Sequence, residues 1–106
     1  MINRGEIWDI DFPRIGRHPG LVLTNQILLA RLGAYTVAVI THTEGPASTH
    51  IPVGPEEGCD DSFINVTDLQ TVRAGHFRSR RGEIAHELSR EVGSAVIRAL
   101  DLDSPL

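Results

Sequence analysis

The sequence predicts a mainly β fold, a small and strongly bent antiparallel sheet or barrel, followed by one amphipathic helix. Three observations carry this. In Gly5 to Phe12, Trp8, Ile10 and Phe12 alternate with Asp9 and Asp11, the period-two pattern of a strand buried on one face. Short apolar, β-branched runs such as YTVAVIT, Tyr35 to Thr41, recur between Gly- and Pro-containing breaks. Only Ser89 to Leu100 keeps helical spacing, with Val92, Ala95, Val96, Ala99 and Leu100 on one face.

Taken in order, Gly5 to Phe12 is the first strand, and Phe12-Pro13-Arg14-Ile15-Gly16 is a turn or loop. Gly20 to Thr24 reads as a short buried strand. Its approach is stiffened by Pro19, which fixes its own φ and biases His18 towards extended geometry. Asn25 to Gly33 is either a helical turn or a loop lying on the sheet. Tyr35 to Thr41 is a central strand, Glu44-Gly45-Pro46 breaks the chain, and Ser48 to Val53 is a further strand. Gly54-Pro55-Glu56-Glu57-Gly58 is a strong turn signal. Ser62 to Val66 and Leu69 to Arg73 read as two short strands, and Gly82 to Leu88 has no clear pattern. Ser89 is placed to cap the helix, and the tail from Asp101 to Leu106 should fray. About five or six strands at this spacing suit a small curled sheet with the helix across its open side.

A chain of 106 residues fits one domain, 1–106, and can bury about two-thirds of its unfolded surface without a disulfide or metal. Cys59 is the single cysteine, so an intramolecular disulfide and a cysteine-only metal site are excluded. No apolar run approaches the ~18 residues that span a bilayer. The start, MINRGEIWDIDF, lacks the continuous apolar stretch of a signal peptide, and the expected location is the cytoplasm, away from the membrane. The net charge of −4 argues against a general nucleic-acid binder, but its distribution is uneven. All ten basic residues are Arg, either through the base composition of the gene or because forked contacts to phosphate suit Arg. Arg73, Arg78, Arg80 and Arg81 cluster around His76, apart from the acidic stretch Glu44 to Asp61. This distribution allows a local basic surface despite the negative total.

Metal chemistry has little support: His42 and His50 are eight apart, His76 and His86 ten apart, and neither pair has the spacing of helical ligands. Phosphate-binding glycine loops and a serine nucleophile elbow are also missing. What remains are polar residues at strand ends. Arg17 and His18 precede one strand in GRHPGLVLTN. Thr41 ends another and is followed by His42 and Thr43. A cation held at a strand end is either a surface charge or half of a phosphate site.

In order along the chain, RGEIWDIDF, RHPGLVLTN, VAVITHT and SFINVTDLQTVRAGHF, then the C-terminal amphipathic helix, resemble the MazF/PemK toxins of bacterial toxin–antitoxin pairs. The resemblance implies an SH3-like small barrel of the CcdB/MazF type with a C-terminal helix. It also implies a homodimer, a small antitoxin partner, and sequence-selective cleavage of single-stranded RNA. The family's chemistry is metal-free transfer of the phosphate to the neighbouring 2′-hydroxyl, and no cofactor is expected. Arg17, His18 and Thr41 become the candidate catalytic residues. Arg14, Asn25, Thr43, Gln70 and Arg73 become candidates for holding RNA. Such a reaction needs a base, an acid and donors for the phosphoryl oxygens.

Two departures from the family pattern stand out. The residue directly before the proline is Arg in the family and His18 here, with Arg17 one place earlier. A one-residue shift in a strand reverses the face, so either His18 is an acid or base, or the loop re-registers and Arg17 takes the site. The loop from Pro13 to Arg17 is also shorter than in many members, which leaves a catalytically weakened RNA-binding homologue as an alternative. A second alternative is a non-enzymatic poison of DNA gyrase on the same scaffold. The chain end, LDLDSPL, lacks the aromatic ending of those proteins, since the single Trp is Trp8.

Overall fold

The computed structural model describes residues 1–106, the side chain of Ala30 excepted. Six strands form one sheet: β1 (Glu6–Phe12), β2 (Gly16–Val22), β3 (Ala34–Thr41), β4 (His50–Val53), β5 (Ser62–Arg73) and β6 (Phe77–Glu83). The short helix α1 (Leu29–Leu32) precedes β3, and α2 (His86–Leu100) ends the fold. The strand order is β4-β5-β3-β2-β1-β6, and every ladder is antiparallel. The sheet is a curled half-barrel, as the sequence predicts. No helix is long and apolar enough to cross a membrane.

Apolar residues fill both faces. Ile7, Leu21, Ala38, Ile40, Ile64 and Val66 pack beneath Val92 and Ala95 of α2. Ile10, Phe12, Val22, Val37, Val39, Val72 and Phe77 form a second cluster on the other face. Phe77 meets Trp8 and Tyr35 edge-to-face, with centroids 5.9 and 5.3 Å apart.

Four boundaries differ from the sequence reading. First, β2 starts at Gly16, so Arg17, His18 and Pro19 lie within the strand, all paired to β1. The ladder from β2 to β3 covers only Gly20–Val22. A proline is tolerated where one side of a strand has no ladder partner.

Second, Ser62 to Arg73 is one strand, not two. Between the pairs Ala38↔Leu69 and Ile40↔Ile64, β5 advances five residues while β3 advances two. The excess is odd, so the alternation reverses, and Ile64, Val66 and Leu69 all reach the α2 side. Asn65 Oδ1 accepts from the backbone N–H and hydroxyl of Thr67 at 2.9 and 2.6 Å, satisfying the bulged chain. The bulge also curls the sheet.

Third, Phe77–Glu83 is a strand with no apolar alternation; Phe77 alone is buried. It is held to β1 by charge. Arg78 Nε donates to Asp11 at 2.6 Å, Ser79 Oγ and Arg81 Nη1 to Asp9 at 3.0 Å each, and Arg80 Nε to Glu6 at 2.8 Å. Three of the four clustered arginines are thus paired with β1 carboxylates, so the local basic surface that their clustering allowed is largely neutralised. Exposed ion pairs contribute little individually, but together they fix register. Glu6 is the buried member, at 8% exposure. Burial pushes its carboxyl up, and hydrogen bonds from Arg80, Trp8 and Asn3 more than reverse this, leaving it below the ordinary value.

Fourth, α2 begins at His86, with Ala85 as the uncapped N-terminal boundary. Ser89 lies inside the helix, its N–H donating to the Ala85 carbonyl at 2.9 Å. Ile84 N–H is bonded to Gly5 O at 3.0 Å, so the connector after β6 is short, and packing of Leu88 and Val92 sets the helix start rather than a cap.

Candidate functional site

The site lies where β2 and β3 part. Their ladder ends at Gly20↔Val39. Beyond it, His18 of β2 and Thr41 of β3 are the next positions on the same face, because side chains repeat every second residue. Arg17, His18, Thr41, His42, Thr43 and Ser62 line a common cavity of 410 Å³, together with Pro19 and the buried Ile40. A second cavity of 280 Å³ shares Arg17, His18 and His42 and continues to Asp9, Cys59, Asp60 and Arg81. The two make one groove along the sheet end.

The far wall is the loop from Gly54 to Asp61, folded onto β6. Arg81 Nε donates to Gly58 O at 2.9 Å. Burial pushes the Cys59 thiol up, with Arg81 opposing, so this thiol is a poor nucleophile.

Arg17 and His18 point to opposite faces. Arg17 stands across from Asp11 and grips it with two nitrogens, Nε to Oδ1 at 2.8 Å and Nη2 to Oδ2 at 3.2 Å. Asp11 also accepts from Arg78, so the trio retains one positive charge. Hydrogen bonds from Arg17 and then Arg78 hold the Asp11 carboxyl far below the usual carboxylate range. His18 stands across from Ile10, and its Nε2 lies 3.1 Å from the Ile15 carbonyl. The Thr41 hydroxyl oxygen accepts from the Thr43 N–H at 3.1 Å. Among the described residues the Thr41 hydroxyl donates to no acceptor of its own.

Because Asp11 is more acidic folded than unfolded, the clamp stabilises the fold above the ordinary carboxylate pKa of ~4 and loses that contribution as pH falls towards the lowered folded value. Asp11→Asn should therefore make Tm fall less steeply than in the wild type from about pH 4 downwards. Identical slopes in thermal melts would show that the clamp does not hold in solution.

Of the other sequence-derived candidates, Thr43 lines the groove, and Arg14 is exposed in the turn between β1 and β2, at the same end of the sheet. Asn25, Gln70 and Arg73 are not brought to it. Asn25 follows β2 and accepts from the Ile27 N–H at 2.8 Å. Gln70 and Arg73 pair with Val37 and Ala34, towards the opposite end of β3. Sequence reasoning missed Asp11 as the partner of Arg17 and treated His42 only as a possible metal ligand. The alternation of β1 against β2 was the available signal for Asp11. Among the described residues, no three His, Cys, Asp or Glu side chains are grouped to hold a metal ion.

A curled antiparallel sheet backed by one helix, with Arg17, His18 and Thr41 bordering one cavity where two central strands part, defines a small mainly β protein. Comparison with known proteins makes the class specific. The family described as PemK-like, MazF-like toxin of type II toxin-antitoxin system matches residues 3–100, and the chain belongs to this toxin–antitoxin endoribonuclease family. It is 28% identical over 102 residues to the probable endoribonuclease MazF5 of Mycobacterium tuberculosis, covering 92% of each chain. The M. tuberculosis toxin MazF-mt6 superposes with a TM-score of 0.85 at 25% identity, over 93% of this chain and 99% of that one. A mycobacterial endoribonuclease solved with its cognate antitoxin superposes with a TM-score of 0.87 at 20% identity, over 99% and 100%.

Proposed function

We propose that the groove takes single-stranded RNA and cuts it at selected sequences without metal, with Arg17, His18 and Thr41 around the scissile phosphate. The neighbouring 2′-hydroxyl attacks, leaving a cyclic phosphate and a free 5′-hydroxyl. The observation that carries this reading is that Arg17, His18 and Thr41 all border one 410 Å³ cavity, on two strands whose ladder has just ended. Thr43 and Arg14 extend the contact surface at that end. Asn25, Gln70 and Arg73 serve a longer RNA that follows the sheet. Arg73 pairs with Ala34, seven residues from Thr41 along β3, a separation of roughly 23 Å.

The protein acts in the cytoplasm as a homodimer controlled by a cognate antitoxin. An apolar groove of 560 Å³ lined by Met1, Ile2, Trp8, Leu29, Tyr35 and Phe77 supports an interaction surface on the face opposite α2. The relative solved with its antitoxin supports the second partner.

The test is incubation with a long RNA in EDTA, followed by mapping of the new 5′ ends. Cleavage at a recurring motif should persist, with 5′-hydroxyl ends. Abolition by chelator and recovery with Mg²⁺ would overturn the mechanism, and RNA bound but uncut would leave an RNA-binding barrel. In light scattering at about tens of micromolar, the same preparation should have the mass of two chains; the mass of one would remove the homodimer.

A further inference from the structure

We infer that His50 is a positioning residue for Thr41: its ring, seated on Gly45, sets the shape of the loop from His42 to Thr49 and so the place of the Thr41 hydroxyl. This rests on the RNA cleavage proposed above and adds to it a residue that reaches the site through the loop.

The loop has a short gap to cross and much chain to cross it with. β3 and β4 lie on either side of β5, with Thr41 paired to Phe63 and His50 to Asn65. Two strand spacings separate β3 from β4, roughly 10 Å. The residues between them, 42–49, could span about 26 Å if fully extended. The loop therefore has slack, and its own contacts decide its shape.

Its second half is a closed turn. The Pro46 carbonyl accepts from the Thr49 N–H at 3.0 Å and from the His50 N–H at 2.9 Å. The Thr49 hydroxyl lies 3.3 Å from the same carbonyl and 2.9 Å from His50 Nδ1. A carbonyl only accepts and a hydroxyl has one hydrogen. When Thr49 donates to Pro46, Nδ1 donates to Thr49, and the three groups form one chain. The Thr49 carbonyl accepts from the Val66 N–H at 3.0 Å, which ties the turn to β5.

The first half is set by the His50 ring. A Cβ added at Gly45 would overlap Cε1, Nδ1 and Nε2 of that ring, so the imidazole rests directly on the glycine. Pro46 biases Gly45 towards extended geometry. Glu44 alone separates Gly45 from Thr43, whose N–H donates to Thr41 Oγ1 at 3.1 Å. Holding Gly45 limits where the Thr43 amide can lie, and that amide holds the hydroxyl oxygen. Thr41 and Thr43 border the 410 Å³ cavity. His50 borders neither cavity of the groove, so it acts on the hydroxyl and not on the RNA. A donor displaced by about 1 Å can cost a reaction up to about 100-fold in rate.

The experiment measures kcat and KM on a short RNA spanning a site the wild type has been shown to cut, with melting curves to establish that each variant is folded. His50→Ala should lower kcat about 10-fold or more and leave KM nearly unchanged. His50→Phe keeps a flat ring over Gly45 and should recover most of that loss. In the Thr41→Val background His50→Ala should cost nothing further, because the hydroxyl it positions is gone, and the double-mutant cycle measures this coupling. Losses that multiply in the double variant overturn the inference, as does a raised KM with unchanged kcat or a His50→Phe as slow as His50→Ala. Hydrogen exchange gives a readout independent of cleavage: the Thr43 amide should exchange about 10-fold faster in His50→Ala than in the wild type. Equal exchange rates overturn the inference. Failure of the wild type to cut any RNA overturns the proposed function itself, and the Thr43 amide then still decides whether His50 controls the loop.

Discussion

Thr41→Val should cut RNA about 100- to 1,000-fold more slowly than the wild type while binding it nearly as well, a loss of roughly 3–4 kcal/mol of transition-state stabilisation. Valine keeps the shape and β-branched preference of threonine, so β3 and its pairing of Thr41 with Phe63 are preserved. What disappears is the hydroxyl. Its oxygen already accepts from the Thr43 N–H, which holds the oxygen in place and leaves its hydrogen available to a phosphoryl oxygen of bound RNA. Thr41→Ser should retain most of the activity and Thr41→Ala should resemble Thr41→Val. Single-turnover rates on a mapped RNA, with affinity measured separately, decide the matter. A Thr41→Val variant that cuts at the wild-type rate would remove Thr41 from the site.

Gly58→Ala should destabilise the fold by about 2–5 kcal/mol, combining a left-handed backbone with an overpacked contact. Gly58 has φ +82°, and an added Cβ would meet the Arg81 carbonyl and the Gly82 nitrogen, both backbone. Both contacts are with backbone, so relieving them requires β6 and the loop to move apart. Gly16 provides the comparison: its φ is +80°, but nothing lies within 4 Å of a Cβ there. Gly16→Ala should therefore cost only the backbone term, about 1–2 kcal/mol. Urea titration of both variants measures the difference, and equal midpoints would show that the loop does not press on β6 in solution. Because the loop carries Cys59 and Asp60 to the groove, Gly58→Ala should also change cleavage.

Several elements were legible because their signal is local. The alternation in Gly5 to Phe12 and the β-branched run to Thr41 each repeat with the period of the structure they form, and α2 shows its apolar face in the same way. The strand Phe77–Glu83 was not legible, since its residues gain their place from carboxylates on β1 about seventy positions earlier in the chain. The bulge in β5 looked like a break between two strands, because an odd insertion reverses alternation just as a turn would. Ser89 looked like a cap because hydroxyls favour helix starts, but Ile84 and Leu88 anchor the chain upstream and the helix begins earlier.

The sequence by itself determined the mainly β class, the C-terminal helix and the family resemblance, and it singled out Arg17, His18 and Thr41. It left open which faces of the sheet Arg17 and His18 take, because that depends on the register of β2 against β1. Only the tertiary structure decided it. Starting β2 at Gly16 puts Arg17 across from Asp11 and His18 across from Ile10, and side chains one residue apart in a strand point to opposite faces. Asp11 then engages the guanidinium, and the imidazole shares a face with Thr41. The pairing of one carboxylate on a neighbouring strand, invisible to any reading of GRHPGLVLTN alone, separates the surroundings of the two side chains.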